Sequence, residues 1–382
     1  MSAALVLRTL ERLERGRLEV ALPGGARRAF GEPNGATADL QVRNLNAFAR
    51  VLRSGDIGFA EGYLEGDWTT SSLPRLLTLL AANRHALEGP LYGSFLGRML
   101  QRLLHMTRAN TRAGSRRNIA AHYDLGNDFY ALWLDRGMTY SSALFAGDAG
   151  RTLEEAQHAK LARALQQLAP ATGARVLEIG CGWGSFAELA ADAGLHVTGL
   201  TLSRAQLEFA RARLGGRADL QLRDYRDERG RYDAVASIEM IEAVGERWWP
   251  AYFGKIAEVL PSGGRALVQA IVIDDALFAR YREGSDFIRR YIFPGGMLPS
   301  PARVEMEAAA AGLSVRDAHP FGADYARTLA LWRQRFLARW PEASALGYDE
   351  RFRRMWEFYF AYCEAGFTAG STDVVQYTLV KR

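Results

Sequence analysis

Val176-Leu177-Glu178-Ile179-Gly180-Cys181-Gly182-Trp183-Gly184-Ser185-Phe186 reads as a strand that ends in a glycine-rich turn and passes directly into a helix. Glycines let the backbone turn tightly and approach a ligand closely, and a helix N-terminus presents free N–H groups. The spacing Glu-x-Gly-x-Gly-x-Gly differs from the dinucleotide fingerprint Gly-x-Gly-x-x-Gly. Ser185 stands at the third fingerprint glycine, and no Asp or Glu ends the second strand. A P-loop is excluded, because no Gly-Lys-Ser/Thr follows.

Outward from this turn, short apolar runs alternate with helical segments: Arg175–Ile179, His196–Leu200, Leu220–Leu222, Ala234–Ser237 and Ala266–Ile273. That rhythm predicts an α/β fold with a parallel, doubly wound sheet. Leu313–Arg316 and Val374–Leu379 are expected to complete its edge, giving seven strands. Thr152 and Glu155 have capping-box spacing and open a helix with Leu161, Leu165 and Leu168 on its buried face. Residues 274–371 are rich in Phe, Tyr and Trp and are expected to form a mostly helical cap over the carboxyl ends of the strands, where such sheets bind ligands.

The remainder bounds the setting. A chain of 382 residues suggests two domains, and 48% hydrophobic with 24% charged residues describes a globular protein. No stretch approaches the roughly 18 apolar residues of a membrane span. Arg8, Glu11 and Arg12 interrupt the apolar start, so no secretory signal is expected. Cys181 and Cys363 alone make neither a disulfide framework nor a metal site, and a reducing cytoplasm fits them. The six scattered histidines show no ligand spacing, so no metal is expected.

Residues 1–113 are expected to form a smaller, mostly helical domain, with a helix starting at Ser72 and Pro74 and an apolar face of Leu73, Leu76, Leu77 and Leu80. From Leu91 to Arg117 the sequence is amphipathic and basic, without one acidic residue. With a formal net charge of +5, this stretch favours an anionic bilayer surface over nucleic acid as partner.

Three more places lie where a ligand of the sheet would bind. Thr201, Ser203 and Gln206 follow the second strand as ribose-contact candidates, although Ser203 and Gln206 also have capping-box spacing. Asp224 follows the third strand, where an acceptor for an adenine amino group fits. Ser237-Ile238-Glu239-Met240-Ile241-Glu242 follows the fourth, with two carboxylates three residues apart and no Asp/Asn-Pro-Pro-Tyr, the tetrapeptide of amino-methylating nucleic-acid enzymes. The Glu-leading glycine turn resembles the S-adenosylmethionine site of class I methyltransferases.

From Asn118 to Gln376 the chain resembles the cyclopropane-fatty-acyl-phospholipid synthases and their mycolic-acid relatives. The likeness is carried by His122–Tyr130, Met138–Ser141, Leu177–Gly184, Gly199–Gln206, Ser237–Gly245, Phe293–Ser300, Tyr325–Leu329 and Trp356–Phe367. It implies a Rossmann-like methyltransferase domain over residues 114–382 and methyl transfer from S-adenosylmethionine to a cis alkene in a phospholipid acyl chain. A proton then leaves the new methyl group and a cyclopropane closes.

The resemblance further implies that Tyr140 and Ser141 reach the methionyl carboxylate, that Gly180 and Gly182 form a backbone wall, and that Glu178 and Ser237 belong to the cofactor site. His122 and Tyr123 would close over the pocket. In the family, bicarbonate takes the proton, held by residues that map onto Glu242, Tyr325, the Ile271 amide, Ser142 in place of a cysteine and Gln269 in place of a histidine. Both replacements can donate hydrogen bonds to an anion, but Gln269 cannot take up a proton and become charged as a histidine can, so it would hold bicarbonate less strongly. The cap supplies Phe287, Tyr291, Phe293, Tyr325, Trp332, Phe336, Phe358, Tyr359 and Phe360, about a third of them expected to face substrate.

Two other outcomes follow from the same residues. The replacements at Ser142 and Gln269 open a route to methyl- or methylene-branched chains, and a non-catalytic lipid-binding homologue would have no need of the glycine turn. A peripheral enzyme on the cytoplasmic face of the inner membrane is the expected setting, with a homodimer as one expected assembly.

Overall fold

A computed structural model describes residues 2–87 and 125–382. The basic stretch from Leu91 to Arg117, the pair His122 and Tyr123, and the division expected near residue 113 lie outside the described residues.

In the first unit, helices Ser2–Leu10, Asn46–Leu64 and Leu73–Ala82 accompany a four-stranded sheet in the order β2-β1-β3-β4. Its strands are β1 (Arg17–Ala21), β2 (Arg27–Gly31), β3 (Thr37–Val42) and β4 (Trp68–Thr69). Helices prevail here, as the sequence suggests, but the sheet is an addition to that reading. Four of the five β2 residues are exposed and β4 has two residues, so neither strand shows the alternation that betrays a half-buried strand. The helix expected at Ser72 is present, with Ser72 as N-cap, Pro74 in the first turn and Leu73, Leu76 and Leu77 buried.

The second unit carries the seven-stranded sheet in the order β10-β11-β9-β8-β5-β6-β7. β5 (Arg175–Ile179), β6 (His196–Thr201), β7 (Asp219–Leu222), β8 (Ala234–Ile238) and β9 (Arg265–Ile273) run parallel. β11 (Thr372–Lys381) inserts antiparallel between β9 and β10 (Leu313–Pro320). Every strand read from the sequence appears. The helix Leu153–Leu168 opens on the Thr152–Glu155 capping box, both reciprocal bonds being formed.

Helices Asp275–Glu283, Gly322–Ala338 and Glu350–Thr368 form the cap, while Pro301–Ala310 and β10 return to the sheet. The Glu350–Thr368 helix packs against both Leu73–Ala82 and Asn46–Leu64. One apolar core therefore runs from Leu18 and Leu76 in the first unit to Trp133 and Trp356 in the second. Polar bonds stitch the same seam: Tyr291 OH donates to Glu61 at 2.6 Å, and Tyr63 OH donates to Glu357 at 3.0 Å.

Candidate active site

A cavity opens at the carboxyl ends of β5, β6 and β8, between the glycine turn and the segment 138–141. Positive φ angles at Gly180 (85°), Gly182 (51°) and Gly184 (89°) give the turn its shape. A Cβ on Gly180 would also meet Met240 Cγ at 2.8 Å, so both conformation and space require glycine there.

Of the residues assigned to the cofactor, Tyr140, Ser141, Glu178, Gly180, Gly182, Thr201, Gln206 and Asp224 line this cavity. Ser203 and Ser237 do not. Ser203 spends its hydroxyl capping the Arg204–Leu214 helix, accepting from Gln206 N, and the buried Ser237 donates to Ile179 O at 3.1 Å. Thr201 is tied to Gln206 at 3.0 Å. Asp224 is clamped by Arg226, whose Nε and Nη2 donate to its two oxygens at 2.9 and 2.6 Å.

The segment 135–142 is held from below. Asp135 accepts from Gly137 N and Thr139 N, Gln157 donates to Ser141 O at 2.8 Å, and the Lys160 ammonium donates to Ser141 Oγ. Lys160 is fully buried and lines the cavity. Burial pushes its pKa down to about 8 against the opposing charges of Glu239, Asp135 and Glu178. Glu178 is buried too, its Oε2 has no partner among the described residues, and burial pushes its pKa up to about 8 while Lys160 opposes the rise. A buried cation and a buried, half-satisfied carboxylate thus share one wall. That pair fits the zwitterionic amino-acid head of S-adenosylmethionine, with the glycine turn as its backbone wall.

At the Glu239 side of this cavity, the residues expected to hold an external anion bond to side-chain carboxylates of the chain. Glu239 Oε1 accepts from Ser142 N at 2.8 Å and from Gln269 Nε2 at 2.7 Å, and its Oε2 accepts from Tyr325 OH at 2.6 Å. Ile271 N donates to Glu242 Oε1. Ser142 therefore contributes its amide and not its hydroxyl, which donates to Ala143 O at 3.0 Å. Burial raises the pKa of both carboxyls, that of Glu242 to about 8 with the Glu239 charge adding to the rise. Lys160, Tyr325, Ser142 and Gln269 oppose the rise at Glu239. Glu239 holds a φ of 48°, a left-handed conformation that costs a non-glycine residue on the order of 1 kcal/mol and that three donors to its side chain secure.

The sequence sets Glu239 three residues before Glu242, the family resemblance gives the anion-holding role to Glu242 and not to Glu239, and no motif singles out Lys160. The visible signal for Glu239 was a second carboxylate at a ligand-facing strand end. Lys160 had none, since a lysine inside an amphipathic helix reads as solvated. In the aromatic cap, Phe287, Trp332, Phe336, Phe358 and Phe360 are fully buried core. Tyr140 lies 6.3 Å from Phe293 and 5.4 Å from Trp332 between ring centroids, Tyr325 lies 6.1 Å from Trp332, and Tyr140 and Tyr359 share a hydrogen bond at 2.9 Å. Of these rings, Tyr325 meets Glu239 directly and Tyr140 lines the cavity.

Known proteins resemble the chain along most of its length. The family model described as mycolic acid cyclopropane synthetase matches residues 110–377. Tuberculostearic acid methyltransferase UfaA1 of Mycobacterium tuberculosis is 41% identical over 366 residues, covering 92% of this chain and 86% of that protein. Cyclopropane-fatty-acyl-phospholipid synthase of Escherichia coli is 36% identical over 343 residues, covering 89% of this chain and 87% of that protein. The crystal structure of mycolic acid cyclopropane synthase CmaA1 with S-adenosylhomocysteine superposes with a TM-score of 0.66 at 33% identity, covering 70% of this chain and 98% of that one.

Proposed function

The chain belongs to the mycolic acid cyclopropane synthetase family, and from that premise we propose that it methylates the cis double bond of unsaturated phospholipid acyl chains and closes a cyclopropane. It is an S-adenosylmethionine-dependent methyltransferase that acts on lipid. The observation that carries the finer reading is the Glu239 carboxylate, which lines the cavity and is fixed by three donors.

S-adenosylmethionine, when bound, supplies an electrophilic methyl group. Tyr140, Phe293 and Tyr359 offer ring faces to the positive charge that develops on a methylated acyl chain, and they exclude water that would quench it. Glu239 takes the proton that leaves the new methyl group, and Tyr325 and Gln269 keep its oxygens oriented for the transfer. A resident carboxylate makes bicarbonate unnecessary.

A branched chain in place of the ring is the second reading, and Ser142 and Gln269 at the family's cysteine and histidine positions favour it. Unsaturated phospholipid vesicles incubated with methyl-labelled S-adenosylmethionine test both. Mass spectrometry of the fatty acids reports methylene gain, and proton NMR separates ring from exomethylene hydrogens. A ring product sinks the second reading, an exomethylene product sinks the first, and no labelled lipid sinks both.

We place the reaction at an anionic bilayer surface, with the enzyme peripheral to the membrane. No helix among the described residues is long and apolar enough to cross a membrane, and the arginine-rich stretch from Leu91 to Arg117 supplies positive charge. Equal sedimentation with anionic and neutral vesicles would overturn this placement.

A further inference from the structure

Gln269 on β9 and Gln376 on β11 lie directly opposite each other across the antiparallel ladder, and both are fully buried. Gln269 Nε2 donates to Glu239, and Gln269 Oε1 accepts from Gln376 Nε2 at 3.0 Å. Gln376 Oε1 accepts from Arg163 Nη1 at 2.7 Å, and Arg163 Nη2 pairs with Asp317 Oδ2 at 2.7 Å. Gln376 Nε2 also reaches Lys160 O at 3.3 Å.

A carboxamide has a donor end and an acceptor end, and a half-turn exchanges them. A guanidinium has only donors. At the outer end of the chain, therefore, Gln376 can offer Arg163 nothing but its oxygen. Its amide hydrogens then face inward, Gln269 must meet them with its own oxygen, and the hydrogens of Gln269 are left for Glu239. The direction of every link follows from the outermost one. Reversal of Gln376 would set its amide hydrogens against the guanidinium, and reversal of Gln269 would set a carbonyl oxygen against the Glu239 carboxylate.

We propose that Gln376 and Arg163 are positioning residues that fix the polarity of this chain, so that Gln269 always presents a donor to Glu239 and favours its ionised form. The inference rests on the reading of Glu239 as proton acceptor. The other groups that face Glu239 are the Ser142 amide, the Tyr325 hydroxyl, the Lys160 ammonium from the Leu153–Leu168 helix and the Glu242 carboxyl. None of them is altered by the variants below.

Gln376→Glu keeps the shape and the bond to Arg163 but replaces the inward donor with an acceptor. Gln269 must then turn its hydrogens toward residue 376 and its oxygen toward Glu239. The acid limb of the pH–rate profile is expected to move up by about one pH unit or more, a loss of about tenfold in rate on that limb. The added charge alone could also move the limb, so the same change is made in a Gln269→Leu background, where polarity has no path and no further shift is expected. Arg163→Met, altered at the outer end, should move the limb in the same direction by less, and it serves if Gln376→Glu does not fold. An unmoved limb, or an equal shift with and without Gln269, overturns the proposal. Glu239→Gln separates the two layers: if it keeps both rate and acid limb, the reading of Glu239 fails, whereas loss of the limb there with none in Gln376→Glu rejects the polarity chain alone.

Discussion

The Tyr325 hydroxyl, carried by the cap helix Gly322–Ala338, donates at 2.6 Å to a carboxylate oxygen of Glu239 at the end of β8. Cap and sheet thus meet at the group proposed to take the proton. Glu239→Gln is expected to lower turnover of unsaturated phospholipid by at least about 100-fold, and Tyr325→Phe by about tenfold. Affinity for S-adenosylhomocysteine should change by less than about threefold in Tyr325→Phe, since the loss falls on chemistry. Wild-type turnover should be the same in carbonate-depleted and bicarbonate-supplemented buffer. A strong bicarbonate requirement would show that Glu239 does not replace the external anion.

Lys160 is the buried cation of the cofactor cavity, bonded to Ser141 and facing the same space as Glu178. Lys160→Met should weaken S-adenosylhomocysteine binding at least tenfold, as expected for loss of a charged hydrogen bond. Binding of methylthioadenosine, which lacks the amino-acid head, should be nearly unchanged. Titration calorimetry with the two ligands checks this, and equal losses for both would point to a general disturbance of the pocket.

Stability should fall as pH rises from about 4.5 toward 8. Burial raises the pKa of Glu178 and Glu242 to about 8, so in that window the folded chain keeps protons that the unfolded chain has released. Glu242→Gln removes one such group while preserving its shape. Urea unfolding at a series of pH values should show the variant losing less stability across the window, by on the order of 1–2 kcal/mol. Lys160, with its pKa lowered to about 8, acts with the opposite sign above that pH, which confines the comparison to the lower range. Parallel pH curves for the two proteins would contradict the assignment.

Leu76 is fully buried in the core that joins the first unit to the cap. Leu76→Ala should cost about 3 kcal/mol. Because that core runs on to Trp356, far-UV circular dichroism and tryptophan fluorescence should report one common transition, shifted downward together. Two separated transitions would mean that the units fold independently.

The linear order of residues was enough to specify the sheet. Short apolar runs in β5 and β6, glycines that tolerate the positive angles at 180, 182 and 184, and a capping box at Thr152 are local properties of the chain, readable without any tertiary contact. Much of the cavity lining was legible for the same reason, since Glu178, Gly180, Thr201, Gln206 and Asp224 lie at or soon after strand ends, but Lys160 on a helix was not. The sheet of the first unit was not, because an exposed β2 and a two-residue β4 leave no pattern to read. Nor was the fate of the anion-holding residues. Ser142, Gln269 and Tyr325 stand 97, 30 and 86 residues from Glu239 on three different segments, and nothing local tells which acceptor their donors will meet. Only the tertiary packing brought a left-handed turn at Glu239 beneath all three, because hydrogen-bond partners between distant segments are chosen by which buried charge must be satisfied and not by spacing along the chain.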